Sequence, residues 1–492
     1  MINYEYSNKQ YGVEMSINSI SPIDGRYSTK TSEMISYFSE KALIKYRIYV
    51  EIKYLIHLFK EKKLGLRELT KREIILLEDI YDISDEDAKL VKKIETKGFE
   101  DILATNHDVK AIEYYIKYKL SGTSLKDVLE MIHFALTSED VNNNAYSLII
   151  REGFNKIIFP VLIEIYNNLY EISKKYKDSA MLARTHGQPA SPTTFGKEIL
   201  VFVSRIKEEI NLLKNIDLLV KLNGATGNYN AHSIVYPYIN WQGFSEKFVK
   251  TLKESKNNVK LKYCSSYPID LKYNPVTTQI EPHDSFSRLF DNMKRINTVL
   301  IDFCQDLWRY ISDGWIKQKA VKGEIGSSAM PHKVNPIDFE NAEGNLGIAN
   351  SLFVFFSSKL SISRLQRDLT DSTVLRNIGV AFAHSLIAYR SILKGLTKIE
   401  VDKNAMELAL LENVEVISEA IQNVLRSEKI EKPYELLKDL TRGKKKSLED
   451  IHDFIKSIDI NKKIKEKLLK ITPLNYTGLA SKIVEEFQAK IY

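Results

Sequence analysis

Cysteine is almost absent from this chain: Cys264 and Cys304 are the only two in 492 residues. Neither has metal-ligand spacing around it, so no disulfide framework is expected, and the usage fits a reducing compartment. Cys304 falls in a helical apolar stripe and reads as core. No apolar run approaches a membrane span, and the N-terminus, MINYEYSNKQYGVEMS, has no basic stretch followed by an apolar one. A soluble cytoplasmic protein is expected, with its polar N-terminal stretch loosely held. A dominant charge is lacking too. Lys and Arg number 71 against 64 Asp and Glu, a mild net +7, and the signs are interleaved, as in Lys60-Glu61-Lys62-Lys63. That gives no nucleic-acid footprint, and the basic run from Arg442 to Lys446 reads as a solvated loop. What the chain has is a 44% hydrophobic fraction with 10% aromatic residues, enough for a substantial core.

Its length suggests roughly three domains, and the pattern along the chain is helical. Apolar residues recur at helical spacing from about Ser32 to Lys63. Thr70 with Glu73, and Ser84 with Asp87, make capping-box starts. Asn106 precedes a helical segment, HDVKAIEYYIKYKL, that stops at Gly122. Another segment runs from about Leu125 to Leu136, and a longer one from Thr137-Ser138 to about Lys177, interrupted near Gly153 and Pro160. Ala180 to Gln188 is short and suits an extended strand. Ser191 to about Leu219 is a long helix candidate, Asn223 to Pro237 a loop, and Lys250 to Asn274 a surface excursion. From Ser285, the residues Phe286, Leu289, Met293, Ile296, Leu300, Phe303, Leu307 and Tyr310 keep one helix side apolar. Two more long patterns, from about Pro336 to Leu360 and Ser372 to Leu396, contain no interrupting proline. An all-α fold follows, a large helix bundle with few strands. The expected domains are 1–128, mostly helical; 129–396, the central long-helix bundle; and 397–492, a small helical domain. Long apolar stripes facing several neighbours imply that the bundle completes its core by oligomerising.

Polar motifs cluster at the ends of these helices. The fullest runs from Lys322 to Gly347, KGEIGSSAMPHKVNPIDFENAEGNLG. Glycines there permit positive φ and close approach to a ligand, consecutive N–H groups can cradle an anion, and Pro336 suits a first helical turn. Hydroxyls, an ammonium and an amide together are equipped to hold carboxylates and abstract a proton. The alternative is an ordinary polar surface loop. His186, in RTHGQP, would by itself be read as a satisfied structural histidine, and Arg367 and Arg376 as a solvated charged turn. Loops, however, concentrate catalytic groups, helix N-termini favour anions, and Arg binds phosphate and carboxylate bidentately. The nine histidines include no HExxH spacing and no Gly-rich loop follows a strand, so neither metal nor organic cofactor is expected.

The string GSSAMPHKVNP resembles the signature of the fumarase/aspartase superfamily, whose members eliminate fumarate from their substrates. MPHK followed by NP is similar to the adenylosuccinate lyase version, a form some cycloisomerases share. DGRY, TNHDVKAIEY, HFALTSEDV, ARTHGQPASPTT, GNYNAH, TQIEPHD and RDLTDSTVLRN follow the order seen in bacterial-type adenylosuccinate lyases, from Asp24 to Gly379. The C-terminal region carries no quotable motif of that family, and the Lys250–Asn274 excursion is longer than its members usually have.

The resemblance implies a three-domain fumarase/aspartase-like fold, a homotetramer, and active sites shared between subunits. It implies cleavage of adenylosuccinate to AMP and fumarate, and of the succinylated ribotide SAICAR to AICAR and fumarate, in purine biosynthesis. Such an elimination needs a base for a weakly acidic C–H, a stabiliser for developing charge, and an acid for the leaving nitrogen. By resemblance Ser327 is the base, activated by Lys333, Asn335 and the glycine-rich N–H groups. His186 is the acid, oriented by Glu340, and His107 belongs to the catalytic set. Arg26, Tyr27, Asn106, His107, Asp108, His133, Thr137, Ser138, Gln279, Ser328, Met330, Lys333, Asn335, Arg367, Ser372 and Arg376 map to substrate contacts. Two alternatives stand beside this: another lyase of the superfamily, such as a cycloisomerase or argininosuccinate lyase, and a non-catalytic scaffold of the same fold.

Overall fold

The structure, a computed structural model, describes residues 17–253, 261–319, 330, 333–441 and 446–491. The N-terminal stretch, the Ser327-Ser328 pair, His332 and most of the Arg442–Lys446 run lie outside these residues.

Helix starts are written in side chains. Thr70 and Ser84 each cap a helix, Lys71–Ile80 and Asp85–Thr96, through reciprocal bonds with Glu73 and Asp87. Ahead of them lies the first long helix, Glu40–Lys60, and after them Asp108–Leu120, capped by His107 rather than Asn106. The segment expected as a helix from Leu125 to Leu136 is only a 3-10 stretch, Lys126–Met131. Left-handed residues follow it at His133 and Ala135, and they stop any helix from continuing.

The centre is a bundle of long helices. Ser138–Gly153 passes through a π turn, Phe154–Ile158, into Phe159–Lys175. Pro160 stands in the first turn after the π segment, where a missing N–H is tolerated, so the run adjusts there without stopping. Phe195–Leu213, Asp284–Ser312, Ile337–Lys359 and Ile378–Lys398 complete the bundle. The 284–312 helix packs on 337–359, and 337–359 on 378–398. Phe290, Phe353 and Phe382 meet at that junction, with ring centroids 5.7 Å and 5.4 Å apart in the two pairs that Phe353 makes. Helices 159–175 and 195–213 come unusually close at Gly196, whose carbonyl accepts from the Ser173 hydroxyl at 2.7 Å. A Cβ at Gly196 would overlap the Ser173 carbonyl.

Four expectations are corrected. The helix expected from Ser191 begins at Phe195, because Gln188–Thr194 is a strand paired with Ala180–Thr185. The Asn223–Pro237 loop contains a short helix, Asn230–Val235. Part of the expected surface excursion is packed: Cys264, Ile269 and Leu271 are buried, and Leu271–Tyr273 pairs in parallel with Leu218–Val220. The helix expected from Ser372 is two helices, Thr370–Leu375 and Ile378–Lys398, which part at Arg376-Asn377.

Shorter helices from Lys403 onward follow the bundle. The chain end returns to the bundle, where the Tyr166 hydroxyl donates to the Ala489 carbonyl at 2.6 Å. Among the described residues no helix is long and apolar enough to cross a membrane.

Candidate active site

Three of the polar strings meet at the end of the bundle through one chain of bonds. Arg376 Nη2 lies 2.8 Å from Asp108 Oδ2, and so does Arg47 Nη2. Arg47 Nε donates to Asn142 Oδ1 at 2.9 Å, and Asn142 Nδ2 donates to Glu139 Oε1 at 2.8 Å. Arg367 Nη2 reaches the same Glu139 oxygen at 2.9 Å, while its Nη1 donates to Ser138 Oγ at 3.3 Å. Glu139 is buried, which raises its pKa even though the Arg367 charge pulls it down. The TNHD, TSED and RDLTDSTVLR segments are thus joined in one ion-paired network, with Arg367 and Arg376 at its two ends. Arg376 also pairs with Glu40 at 3.0 Å, beside a cavity of about 100 Å³ lined by Glu40, Tyr146, Ile149 and Gly379.

Thr137 and Ser138 open the 138–153 helix, where Thr137 N donates to Asp140 Oδ2 at 2.9 Å. The free N–H groups of such a terminus favour an anion. Ser372 sits one helical turn from Asp368 in the turn that leads to Arg376, its N–H bound to Asp371 Oδ1 at 2.6 Å. Gln279 donates through Nε2 to the Ala225 carbonyl at 3.2 Å. Tyr27 comes to the 337–359 helix, its hydroxyl accepting from Asn341 Nδ2 at 3.3 Å. That bond lowers the Tyr27 pKa, against the effect of burial and with help from Asn345 and Arg26. Arg26 beside it is exposed.

The four histidine and asparagine positions differ in setting. Asn106 has φ +48 and is exposed just before His107. His107 Nδ1 accepts from Lys110 N at 3.2 Å, and its side chain is 53% exposed, so the ring edge is accessible. His133 Nδ1 lies 2.5 Å from Glu51 Oε1. His186 is at the tip of a two-residue hairpin turn between Thr185 and Gln188. Its φ of +53 and the +76 of Gly187 are those of a type I′ turn, so the hairpin holds the ring out into solvent. His tolerates this conformation better than most non-glycine residues.

The structure does not join His186 to Glu340 within the chain. Glu340 Oε1 instead accepts from Trp308 Nε1 at 3.0 Å, and His186 has no side-chain bond among the described residues. Met330 is half exposed, Lys333 N donates to its carbonyl at 3.0 Å, and Asn335 follows just before the 337–359 helix. No cluster of three His, Cys, Asp or Glu side chains suits a metal among the described residues.

Arg47, Glu51, Asp140 and Lys221 escaped the reading of the sequence. Arg47, Glu51 and Tyr54 fall at i, i+4 and i+7 of the first long helix and form a polar stripe on an otherwise buried run. That stripe was the available signal.

The family model described as Lyase matches residues 25–349. In the solved structures, 3-carboxy-cis,cis-muconate lactonizing enzyme from Pseudomonas putida superposes with a TM-score of 0.68 at 17% identity, over 92% of this chain and 95% of that one. Fumarate lyase from Mesorhizobium sp. BNC1 gives 0.69 at 16%, over 92% and 96%. The helix bundle and the matched model define a lyase of the fumarase/aspartase superfamily. The model described as Adenylosuccinate lyase C-terminal matches residues 363–477, from the RDLTDSTVLRN string into the C-terminal region, where no motif could be quoted. Adenylosuccinate lyase of Dictyostelium discoideum is 50% identical over 474 residues, 94% of this chain and 97% of that protein. The Escherichia coli K12 protein of that name is 44% identical over 482 residues, 96% and 99%. The chain belongs to the adenylosuccinate lyase family.

Proposed function

We propose that the protein eliminates fumarate from adenylosuccinate, leaving AMP, and from SAICAR, leaving AICAR. The observation that carries this reading is the bonded chain from Arg376 through Asp108, Arg47, Asn142 and Glu139 to Arg367 and Ser138. It links two candidate substrate-binding guanidinium groups, Arg376 and Arg367, to a helix N-terminus, a set suited to a substrate with a phosphate and two carboxylates. Both substrates carry a ribose phosphate and a succinylated amine, so one pocket serves both.

In the reaction Ser327 takes a proton from the succinyl carbon next to the carbon that bears nitrogen. The electron pair is held by the adjoining carboxylate, whose charge Lys333 and Asn335 offset. The C–N bond then breaks, His186 gives its proton to the leaving nitrogen, and fumarate departs. No metal or organic cofactor takes part. Glu340 orients His186 across a subunit boundary, with the site assembled in a homotetramer. The exposed apolar residues Ile348, Val354 and Phe355 on the 337–359 helix favour that assembly, since burying such a face is its main driving force. The enzyme works in the cytoplasm.

The test is to follow fumarate release from adenylosuccinate, SAICAR, argininosuccinate and a cyclic muconate. Release from the two nucleotides is expected. Activity on argininosuccinate or the muconate but on neither nucleotide would overturn the reading, and no activity on any would favour a scaffold.

A further inference from the structure

Glu51 is a carboxylate fully withdrawn from solvent: its side chain is 0% exposed and its Oε1 lies 2.5 Å from His133 Nδ1. Its Oε2 is buried with no hydrogen-bond partner among the described residues. Burying a carboxylate is costly unless a cation or donors answer it. Among the described residues His133 is the one cationic group paired with it. Burying so poorly satisfied a group for packing alone would be a poor solution, since an apolar residue of similar size does that better.

The receiving side is held just as firmly. His133 and Ala135 have φ of +59 and +57, and the Tyr54 hydroxyl, on the same helix as Glu51, donates to the Phe134 carbonyl between them at 3.0 Å. Non-glycine residues keep this conformation only where their surroundings over-determine it. The loop leads directly into Thr137 and Ser138. The His133 side chain is 20% exposed, and its Nε2 has no bond among the described residues. One ring nitrogen is therefore committed to Glu51 and the other is left for a ligand.

We infer that Glu51 is a positioning residue that fixes the His133 ring and keeps a proton on Nδ1, so that Nε2 is a cationic donor to an anionic group of the substrate. The inference deepens the function proposed above and rests on it for the identity of that anion, a phosphate or a carboxylate. Burial by itself would lower the His133 pKa, but the charge and hydrogen bond of Glu51 outweigh it, with smaller pulls from Glu113 and Asp140, and the net shift is upward. Glu113, on the 108–120 helix, already pairs with Lys110 and Lys117, and Asp140 with Lys221. Tyr54 and His232, which bond each other nearby, are neutral groups of the same pocket. Glu51 is the acid whose charge is left to His133.

The test uses the intact enzyme and Glu51→Gln, which keeps the shape and removes the charge. The KM for adenylosuccinate should rise by roughly tenfold at mildly alkaline pH with kcat little changed. The alkaline limb of the affinity profile should move to lower pH, and the His133 resonance in 13C-histidine spectra should titrate at lower pH. Glu51→Asp, which keeps the charge, should restore the limb toward its wild-type position, and it serves as the variant if Glu51→Gln does not fold. In a His133→Ala background Glu51→Gln should add little. Weaker inhibition by AMP with unchanged inhibition by fumarate would assign the anion to the phosphate, and the reverse to a carboxylate. An unmoved His133 titration, or full additivity of the two substitutions, would overturn the inference. Failure of the wild-type enzyme to release fumarate would overturn the proposed reaction instead, and the histidine titration would still decide the role of Glu51.

Discussion

Lys221 and Asp140 form an ion pair that water does not reach. Nζ is 2.9 Å from Oδ1, and both side chains are 0% exposed. The ammonium spends its other two protons on the carbonyls of Gly224 and Gln279, each at 2.9 Å. Asp140 Oδ1 accepts from the N–H groups of Asn223 and Gly224 at 3.0 and 3.3 Å, and Oδ2 from Thr137. A buried pair is stabilising only with such complete satisfaction. One consequence is positional: the helix start bearing Thr137 and Ser138, the 221–224 turn and the loop bearing Gln279, just before the 284–312 helix, are tied to one another.

Removing one member of the pair leaves the other charged and buried. Lys221→Met or Asp140→Asn should each cost about 3–5 kcal/mol of stability, measured by denaturant unfolding. The double variant should cost clearly less than the two losses added together, because it leaves no orphaned charge. Strict additivity would mean that the two groups do not depend on each other.

A second expectation concerns acid. His283 is fully buried, stacks on Phe286 at 5.0 Å, and neither ring nitrogen has a hydrogen-bond partner among the described residues, the nearest carboxylate oxygen being Glu281 Oε2 at 4.0 Å from Nδ1. Burial, with the nearby Arg367 charge, lowers its pKa to about 4. Because the folded value lies below the unfolded one, its stabilising contribution is complete above the ordinary histidine pKa of about 6.5 and is lost as pH falls toward 4. His283→Asn, which tolerates the φ of +63 at this position, removes that titration. The stability gap between wild type and variant should narrow as pH drops from about 6.5 to 4, read by thermal unfolding across pH. A constant gap would show that His283 does not titrate on unfolding in this range.

What was legible followed local physics. The 284–312 helix and the Thr70 and Ser84 caps could be read because their spacing depends on nearby residues alone. The start of the 195–213 helix was misplaced because Ser191 to Thr194 could continue either a strand or a helix, and pairing with Met181 and Ala180 decided it. Thr137 and Ser138 were legible as a site and as the opening of the longer helical pattern. The left-handed residues before them have no signature in composition. Glu51 was missed because a single glutamate in a helix is normally a solvated one, and only the packed His133 loop shows otherwise. The reading also expected Glu340 to orient His186, and no single chain makes that contact.

That separation leads to a test of assembly. His186 stands exposed on its hairpin, and Glu340 is bonded to Trp308. If the site takes His186 and Ser327 from different subunits, two inactive proteins hold the parts of an active one between them. His186→Ala mixed with Ser327→Ala, after subunit exchange, should recover part of the wild-type turnover. A fully active monomer in sedimentation would exclude shared sites.

The division between base and acid can be tested apart from assembly. Ser327→Ala removes one oxygen, so folding and substrate binding should largely survive, and circular dichroism and KM check this. Positioned proton transfer contributes typically ~10²–10⁴-fold, so kcat should fall by at least that factor in Ser327→Ala and in His186→Ala. The two variants should then part company on a substrate whose leaving group needs no proton. His186→Ala should recover much of its rate, because the acid has become unnecessary. Ser327→Ala should stay slow, because the C–H proton must still be removed whatever leaves. If proton abstraction is reversible, His186→Ala should also exchange deuterium into the succinyl carbon in heavy water, and Ser327→Ala should not. Equal rescue of both variants by the better leaving group would mean that Ser327 is not the base, and would turn attention to Lys333 and His107.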